Sequence, residues 1–359
     1  MITGNIGEWS ELYALLKLLA DGKLYSADAD LHKLPDVWSP LLRVFRNEIE
    51  SENIEYRLNE RRHEVELYIN GDKIKTIRSE WLDAAVVKLY NGILAEGGGT
   101  GAFAIPDSED IMDEIHCTKI KAKSEDKTDI KVQIHDAHTG HNHICGFSIK
   151  SDLGAPPTLF NASAHSNFIY EVTGLSDGDI ADINAISTRT KIIDRMQEIE
   201  KRGGSLCYVK VDSSTFEGNL TFIDSMMDDI IGNLLLPYYR NEVSDLTDAV
   251  TRLESLDPLG YGRPGIYRHK VKKFLSAVAL GMVPAKQWDG KDEANGGYII
   301  IKDDGDIVAY HLYNRDSFET YLLNNTKFEK ASTGRYGYAT LYKNASKVFI
   351  KLNLQIRFK

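Results

Sequence analysis

The chain has 359 residues, of which 42% are hydrophobic and 27% are charged, and its formal net charge is −10. This balance is typical of a globular protein with a large core, and it excludes a collagen-like or wholly disordered chain. The longest nearly uncharged apolar run, "FLSAVALGMVPA", spans about 12 residues, whereas a membrane helix needs ~20. We therefore expect no membrane partner.

The N-terminus "MITGNIGEWSEL" lacks a basic segment followed by an apolar one, so it does not resemble a secretory signal peptide. The sequence contains three cysteines without CxxC spacing, which indicates reduced thiols that fill the core. Together these features predict a cytoplasmic protein.

The first hundred residues predict two helices separated by a β-hairpin. In "GEWSELYALLKLLADGK" leucines recur at helical spacing, and Gly22 is suited to end the helix. "HEVELYINGDKIKTI" alternates apolar and polar residues around an Asn70-Gly71 turn, and "SEWLDAAVVKLYNGIL" then has helical spacing. The following "GGGTGAF" lacks the GK[ST] ending of a phosphate-binding loop, so we expect a flexible connection.

From residue 107 onward, helices and strands alternate. Helices are expected at "SEDIMDEIH", "ISTRTKIIDRMQEIEKRG" and, as one long helix, "NLTFIDSMMDDIIGNLLLPYYR". Strands are expected at "CTKIKA", on both sides of a turn in "DIKVQIHDAHTGHNHICGFSIK", and at "SLCYVKVD", "GGYIIIKDDGDIVAYHLY" and "VFIKLNLQIRF". This order predicts a mixed α/β (α+β) fold in which helices flank a central sheet.

Three consecutive regions are expected from this pattern. Residues 1–100 form a helical and hairpin region that contributes its first helix to the core. Residues 101–257 form the core itself, and residues 258–359 form a basic α/β region that contacts nucleic acid.

The strand pair around residue 140 brings a carboxylate and an amine to one face of a sheet. Side chains alternate along a strand, so Ser148 and Lys150 share a face opposite to Phe147 and Ile149. Counting symmetrically from Thr139-Gly140 places Asp129 across from Lys150. Such a pair can hold a divalent metal and activate a water beside a phosphodiester, although a plain cross-strand salt bridge is the alternative.

A polar segment and two basic windows provide candidate contacts to a polyanion. The segment from Thr158 to Asn167 is rich in hydroxyl and amide groups, which bind bases or phosphates, or else simply form a polar surface loop. From Pro258 to Trp288 and from Ala331 to Lys359 the chain has no acidic residue, so it could present a positive face, or carry ordinary surface lysines. The candidate contacts are Asn161, Ser163, Asn167, Lys270, Lys272, Lys273 and Arg335.

Several long blocks resemble HpaII-type restriction endonucleases, a branch of the PD-(D/E)xK nucleases. The resemblance lies in "GFSIKSDLGAPPTLFNAS", in "GEWSELYALLKLLADGKLY" near the start, and in "WDGKDEANGGYIIIKDDGDIVAYHLYNRDSFETYL" and "LNLQIRF" near the end. It implies a PD-(D/E)xK core and a Mg²⁺-dependent endonuclease that cuts double-stranded DNA, with the palindrome CCGG as the target. A palindromic target would suit a homodimer.

Position by position, the resemblance assigns roles to individual residues. Asp129 matches the metal-binding aspartate and Lys150 the catalytic lysine, while Ser148 occupies the place of the motif's second acid. Glu11 matches a glutamate that such nucleases carry on the first helix, where it would complete the metal site. The alternatives for this second carboxylate are Glu8, Glu171 and Asp152.

Two other interpretations remain open from the sequence. Because Ser148 cannot supply a negative charge, the chain could be a DNA-binding module on a catalytically degenerate nuclease fold, or, more distantly, an enzyme acting on a small phosphorylated substrate. Four histidines lie around the turn of the strand pair, at residues 135, 138, 141 and 143, but they lack the cysteine partners of a zinc finger. We expect no zinc site there, and we expect His135 to approach a phosphate.

Overall fold

The structure is a computed structural model that describes residues 2–46, 48, 52–59, 63–96, 101–121, 128–136, 140–332 and 336–359. It divides into two compact units, the first comprising Met1–Pro157 and Asp292–Tyr321 and the second Thr158–Lys291 and Leu322–Lys359. This division differs from the three consecutive regions expected from the sequence, because the chain returns to the first unit at Asp292. Part of the expected "GGGTGAF" connection, residues 97–100, lies outside the described residues.

In the described part of the chain up to residue 151, one helix is followed by five strands, two helices and two further strands. In chain order they are α1 (Ile6–Asp21), β1 (Lys23–Ala27), β2 (Lys33–Arg46), β3 (Ile54–Asn59), β4 (Glu64–Ile69), β5 (Asp72–Arg78), α2 (Ser79–Ala95), α3 (Ser108–Glu114), β6 (Ile130–His135) and β7 (Asn142–Ser151). The two helices and the hairpin expected in the first hundred residues are all confirmed.

The remaining elements complete both units. They are β8 (Thr158–Phe160), a 3₁₀ turn (Ala164–Ser166), β9 (Asn167–Thr173), α4 (Asp177–Ala185), α5 (Lys191–Lys201), β10 (Ser205–Val211), α6 (Ser214–Ile223), α7 (Met227–Tyr239), α8 (Leu246–Leu256), α9 (Ile266–Leu280), β11 (Gly297–Ile301), β12 (Ile307–His311), a 3₁₀ turn (Leu312–Asn314), α10 (Arg315–Asn324), β13 (Thr326–Phe328), β14 (Leu341–Asn344), β15 (Lys347–Asn353) and β16 (Ile356–Phe358). The mixed α/β class expected from the sequence is confirmed. No helix among the described residues is long and apolar enough to cross a bilayer.

The first unit is built on a mixed nine-stranded sheet in the order β1-β12-β11-β7-β6-β2-β3-β4-β5. β11 runs parallel to β7, and β1 runs parallel to β12, whereas the other neighbours are antiparallel. The first half of the long strand β2 also pairs antiparallel with β1, while its second half pairs with β6 and β3. The central strand β7 is therefore flanked by β6 and β11.

Helix α1 has strong signals at both ends and a broad apolar face. Asn5 and Glu8 form a reciprocal capping box at its start, and Gly22 ends it in the left-handed conformation with φ of 63°. Trp9, Leu12 and Leu16 are completely buried in the core shared with the sheet. Burial of such side chains contributes roughly 1.5–3 kcal/mol each, which fixes α1 firmly.

The expected strand "CTKIKA" is wrong in the described part, because Cys117–Lys121 adopts bends instead of pairing with a strand. Its backbone groups are satisfied by buried side chains. Glu48 accepts hydrogen bonds from the Thr118 N–H at 2.7 Å and from the Thr118 hydroxyl at 2.6 Å. Arg46 donates to the carbonyl oxygens of Lys119 and Ile120 at 2.5 and 3.1 Å. These contacts replace the ladder that the apolar pattern suggested.

The second unit contains a four-stranded antiparallel sheet, β10-β9-β15-β14, and a three-stranded one, β13-β16-β8. The long helix expected over "NLTFIDSMMDDIIGNLLLPYYR" is wrong, because the chain breaks into α6 and α7 at Asp224–Met226. Met226 adopts the left-handed conformation with φ of 59°. The Asp224 carboxylate accepts hydrogen bonds from Lys270 and Lys273 of α9 at 2.6 and 3.0 Å, which hold the break in place.

Candidate active site

The expected strand pair is confirmed, but its register is not the expected one. Ile130 of β6 pairs with Phe147 of β7, so the continued register places Asp129 opposite Ser148 rather than opposite Lys150. The symmetric count assumed a centre at Thr139-Gly140, which would pair His135 with Ile144, whereas His135 pairs with Asn142. A shift of two residues leaves every side chain on its original face. Asp129, Ser148 and Lys150 therefore still share one face of the sheet.

The Asp129 carboxylate is held in a fixed orientation by β7. Its Oδ2 accepts hydrogen bonds from the Ser148 hydroxyl at 3.0 Å and from the Ile149 N–H at 2.7 Å. Within the described residues, Oδ1 has no hydrogen-bond partner. Ser148 thus acts as a donor that orients Asp129, and it leaves one carboxylate oxygen available to a ligand.

Glu11 of α1 lies close enough to Asp129 for the two carboxylates to repel each other. Its side chain is only 14% exposed, and its Oε1 is 3.1 Å from the Lys121 ammonium. Burial, and then the Asp129 charge, raise the pKa of Glu11 to about 7, outweighing the opposite influence of Lys121. A hydrogen bond of 2.8 Å from the Ser10 hydroxyl to the Ser151 hydroxyl anchors this turn of α1 to β7.

Lys150 carries the second cationic group beside these carboxylates. Burial lowers the pKa of Lys150, while Asp129 and Glu11 oppose the shift and Lys121 adds to it. Its ammonium lies 5.3 Å from the centroid of the Tyr298 ring, within the range of a cation–π interaction. A partly buried lysine whose charge is coupled to two carboxylates is typical of a site that handles protons or phosphate charge.

Tyr298 and Lys121 are the members of this cluster that the sequence reasoning missed. Tyr298 pairs with Ser148 in the parallel register between β11 and β7, so it lies beside the hairpin although 150 positions separate the two residues. Lys121 lies in an irregular segment that the apolar pattern predicted to be a strand. Neither residue has a motif around it, and only the order of strands in the sheet would have pointed to Tyr298.

The alternative second carboxylates have other surroundings. The Glu8 carboxylate accepts a hydrogen bond from the Asn5 N–H at 2.9 Å, as part of the α1 capping box. Burial, and then the charge of Asp303, raise the pKa of Asp152. Glu171 belongs to the second unit, where it pairs with Lys347 at 2.8 Å. Of the four candidates, Glu11 is the one whose charge is coupled to Asp129 in this way.

The histidines of the strand pair do not join this cluster. His135 lies at the opposite end of β6 from Asp129, and its Nδ1 is 2.8 Å from the Asn142 side-chain oxygen. His138 lies outside the described residues. In the described part of the chain, no group of three or more His, Cys, Asp or Glu side chains is arranged to hold a metal ion.

Two carboxylates are nevertheless an adequate protein contribution to a magnesium site. Mg²⁺ is usually held by one or two carboxylates, with waters or substrate oxygens completing its octahedron. The free Oδ1 of Asp129 and the Glu11 carboxylate are hard oxygen donors of this kind. A cation bound between these carboxylates would lower the raised pKa of Glu11, because its positive charge would stabilise the ionised form.

The candidate DNA contacts in the polar segment differ in their exposure. Asn161 is exposed, and Ser163 is partly exposed, with its hydroxyl accepting a hydrogen bond from the His165 N–H at 3.1 Å. Asn167 is 2% exposed. Its amide donates to the Tyr336 carbonyl at 2.9 Å and accepts from Asn353 at 2.7 Å. This environment favours a structural role for Asn167, because its polar atoms already have internal partners.

Several cations of the two basic windows pair with acids from other parts of the second unit. Lys270 is 6% exposed, and its ammonium contacts the Asp224 carboxylate and the Ser225 carbonyl. Lys273 pairs with the same carboxylate, Lys272 is partly exposed, and Arg335 lies outside the described residues. In the last window the ion pairs are Lys343–Asp177, Lys347–Glu171, Lys351–Asp212, Arg357–Glu329 and Lys359–Asp245. In the described part of the last window, therefore, a run without acids in the sequence does not translate into an unpaired positive surface.

Comparison with known proteins places the chain in a family. Residues 5–358 match the family profile described as HpaII restriction endonuclease. The chain is 40% identical over 359 residues to "Type II restriction enzyme HpaII" of Haemophilus parainfluenzae, covering 99% of this chain and 98% of that protein. No solved structure matches. The family match over nearly the whole chain and the similarity to this relative agree with each other, and the chain therefore belongs to the HpaII restriction endonuclease family.

Proposed function

We propose that the protein is a type II restriction endonuclease that hydrolyses phosphodiester bonds in double-stranded DNA, with Asp129, Glu11 and Lys150 as its catalytic residues. The observation that carries the proposal is the convergence of these three side chains in a member of this family. Glu11 comes from the first helix, and Asp129 and Lys150 come from the strand pair, yet their charges are mutually coupled. A structural salt bridge would need only one carboxylate and one amine.

The first unit has the features we assign to a PD-(D/E)xK core. Asp129 directly precedes β6, and Lys150 lies on the neighbouring strand β7, within a mixed sheet packed against α1. Ser148 replaces the acid expected between them. In this assignment Glu11 supplies the missing negative charge, and Ser148 orients Asp129 instead of binding the cofactor.

Mg²⁺ is the cofactor we propose, held by the Asp129 and Glu11 carboxylates. When bound, it would polarise the scissile phosphate and stabilise the charge that develops on the leaving oxygen. The chain itself contributes orientation and charge. Ser148 and the Ile149 N–H fix the Asp129 carboxylate, so that its remaining oxygen has one direction in which to accept a ligand.

Lys150 would orient the attacking water and offset phosphate charge. Because its pKa is lowered by burial, less free energy is needed to use the amine in proton transfer than for an exposed lysine. The Tyr298 ring limits where the ammonium can move. An exposed lysine would lack both properties.

The target we propose is CCGG, which is the sequence implied by the family resemblance. A four-base palindrome suits a two-fold symmetric homodimer, since each protomer then meets the same half-site. Asn161 and Ser163 remain our proposed contacts to DNA in the polar segment, because both are accessible. Lys272, Lys273 and Arg335 remain proposed contacts to phosphate.

The alternative function is a DNA-binding module without catalysis. Ser148 is the feature that favoured it, because a serine cannot replace a metal-binding acid. The contact between Ser148 and Asp129 gives this serine a role in an active enzyme, and Glu11 provides the second carboxylate. We therefore prefer the nuclease.

The direct test is cleavage of a plasmid of known sequence with and without Mg²⁺, followed by mapping of the ends. We expect cuts at CCGG only when Mg²⁺ is present, and no cuts at the scrambled sequence CGCG. Each wrong base pair should cost about 1–3 kcal/mol in recognition. Cleavage at other sites would refute the target alone, whereas specific binding without cleavage at any metal concentration would refute the enzyme.

Lys150→Ala is the matched variant for this experiment. It should bind a CCGG duplex with nearly normal affinity but cut it far more slowly, because a catalytic group stabilises the transition state more than the bound substrate. Normal cutting by this variant would remove Lys150 from the mechanism.

A further inference from the structure

We propose that Lys121 is a positioning residue that serves as the counter-ion of Glu11 and Asp129 until a divalent ion takes its place. This inference rests on the proposed function, because it concerns the same pair of carboxylates. It adds a residue that neither the nuclease motif nor the family resemblance assigned.

The geometry places the Lys121 ammonium against Glu11 from the solvent side. The ammonium is 3.1 Å from Glu11 Oε1, and the lysine side chain is 46% exposed, whereas the glutamate side chain is 14% exposed. A long, half-exposed side chain can leave such a contact without disturbing the core. Lys150, in contrast, extends from the sheet itself and lies near the Tyr298 ring.

The charges around Lys121 favour its ammonium form. Burial alone would lower the pKa of Lys121, but Glu11 and then Asp129 and Glu8 raise it above its usual value. A lysine side chain that is 46% exposed is a cation at neutral pH, and at 3.1 Å from Glu11 its charge reduces the repulsion between the two neighbouring carboxylates. A divalent ion at the same carboxylates would carry out this task with twice the charge.

The segment that carries Lys121 is fixed by a buried ion pair. Arg46 and Glu48 are 6% and 3% exposed, and the arginine Nε donates to the Glu48 carboxylate at 2.5 Å. Between them they bind the backbone of Thr118, Lys119 and Ile120. Buried charges of this kind are costly unless fully paired, and here their hydrogen bonds hold an irregular segment beside α1.

It follows that Lys121 and the divalent ion compete for the same carboxylates. Removal of the lysine should make the pair of carboxylates more repulsive in the absence of metal and more attractive to Mg²⁺. Lys119 provides a matched control, because it is an exposed lysine two residues away on the same fixed segment. Lys121→Arg preserves the cation.

The experiment compares wild type, Lys121→Met, Lys119→Met and Lys121→Arg at pH 8.5. The first measurement is the rise in melting temperature on addition of Mg²⁺, without DNA. The second is the Mg²⁺ concentration that gives half-maximal cleavage of a CCGG duplex. In Lys121→Met we expect a larger rise in melting temperature and a half-maximal concentration about fivefold lower, as befits the loss of one partly exposed ion pair.

Lys119→Met and Lys121→Arg should behave like the wild type in both measurements. A Lys121→Met protein whose stability and cleavage respond to Mg²⁺ as in the wild type would overturn the counter-ion role. So would a need for more Mg²⁺ in that variant, since the lysine would then assist metal binding. If the wild type cleaves DNA with Mg²⁺ and Lys121→Met responds to Mg²⁺ in the same way, the counter-ion role would be wrong but the assignment as a nuclease would be unaffected. The reverse pattern, with no cleavage but a larger Mg²⁺ stabilisation of Lys121→Met, would refute only the nuclease.

Discussion

The Lys150 ammonium lies 5.3 Å from the centroid of the Tyr298 ring, on the strand parallel to its own. Tyr298 is 2% exposed, and its ring packs edge-on against Phe318 at 5.2 Å between centroids. The tyrosine is therefore fixed by the core of the first unit, and the lysine is placed against a rigid aromatic face. A desolvated cation–π contact contributes about 2 kcal/mol.

We predict that the aromatic ring, rather than the hydroxyl, positions Lys150. Tyr298→Phe should cleave DNA at nearly the wild-type rate, because the ring face is retained. Tyr298→Leu should lower the cleavage rate constant about tenfold or more, as expected for the loss of a contact of this strength. Single-turnover cleavage with bound DNA measures this step, and urea unfolding separates it from the cost of the smaller side chain. Equal rates for the two variants would show that the ring does not matter.

The second prediction concerns stability and the pKa of Glu11. The folded-state pKa of this carboxyl is raised from 4.5 to about 7, so the folded protein keeps a proton that the unfolded chain releases. Stability must then fall as pH rises between these two values. Glu11→Gln lacks this charge, and above pH 7 it should be more stable than the wild type by on the order of 3 kcal/mol.

Urea unfolding of the metal-free proteins at pH 5 and pH 8 checks this sign. The difference between wild type and Glu11→Gln isolates residue 11, because the other groups titrate in both proteins. The same variant should lose most Mg²⁺-dependent cleavage, while Glu8→Gln should have a milder effect. A wild type that is more stable than Glu11→Gln at pH 8 would contradict the electrostatic account.

The third prediction separates Ser148 from Asp129. Ser148→Ala removes one of the two hydrogen bonds to Asp129 Oδ2 but leaves the donor on the Ile149 backbone. Cleavage should fall about tenfold, in keeping with a hydrogen bond to a charged group. Asp129→Asn should abolish cleavage while preserving the fold. If Ser148→Ala were as inactive as Asp129→Asn, the serine would have to contact the reacting groups itself.

The elements with strong local signals could be predicted from the sequence. Helix α1 has a capping box, a leucine face and a terminal glycine, and the β4–β5 hairpin has an Asn70-Gly71 turn in which both residues have positive φ, 52° and 93°. The alternation of apolar and polar residues also predicts the strands on both sides of residue 140. In these places the local preference and the final structure agree.

The failures occur where distant side chains decide the structure. Cys117–Lys121 has an apolar alternation, but Arg46 and Glu48 bind its backbone and prevent strand pairing. The break between α6 and α7 depends on lysines of α9, which lie more than 40 residues away. The register of the strand pair depends on a turn whose length symmetric counting could not give. The Lys121 and Tyr298 contacts also depend on the order of elements in space.

The last prediction concerns the first basic window, from Pro258 to Trp288. Lys270 is buried against Asp224, and together with Lys273 it holds the pKa of that carboxyl at about 2 although burial opposes this. Lys270→Gln should therefore reduce the free energy of unfolding by about 3 kcal/mol, because it breaks a buried ion pair. It should leave the salt dependence of DNA binding unchanged.

Lys272→Gln, in contrast, should hardly affect stability, because Lys272 is only partly buried. If its side chain neutralises a phosphate, the slope of log affinity against log salt should become smaller by about 0.9. Urea unfolding and binding titrations at several salt concentrations distinguish the two variants. A smaller slope for Lys270→Gln with unchanged stability would indicate that Lys270 contacts DNA after all. An unchanged slope for Lys272→Gln would show that this lysine does not neutralise a phosphate, and any phosphate contact in this window would then come from other residues.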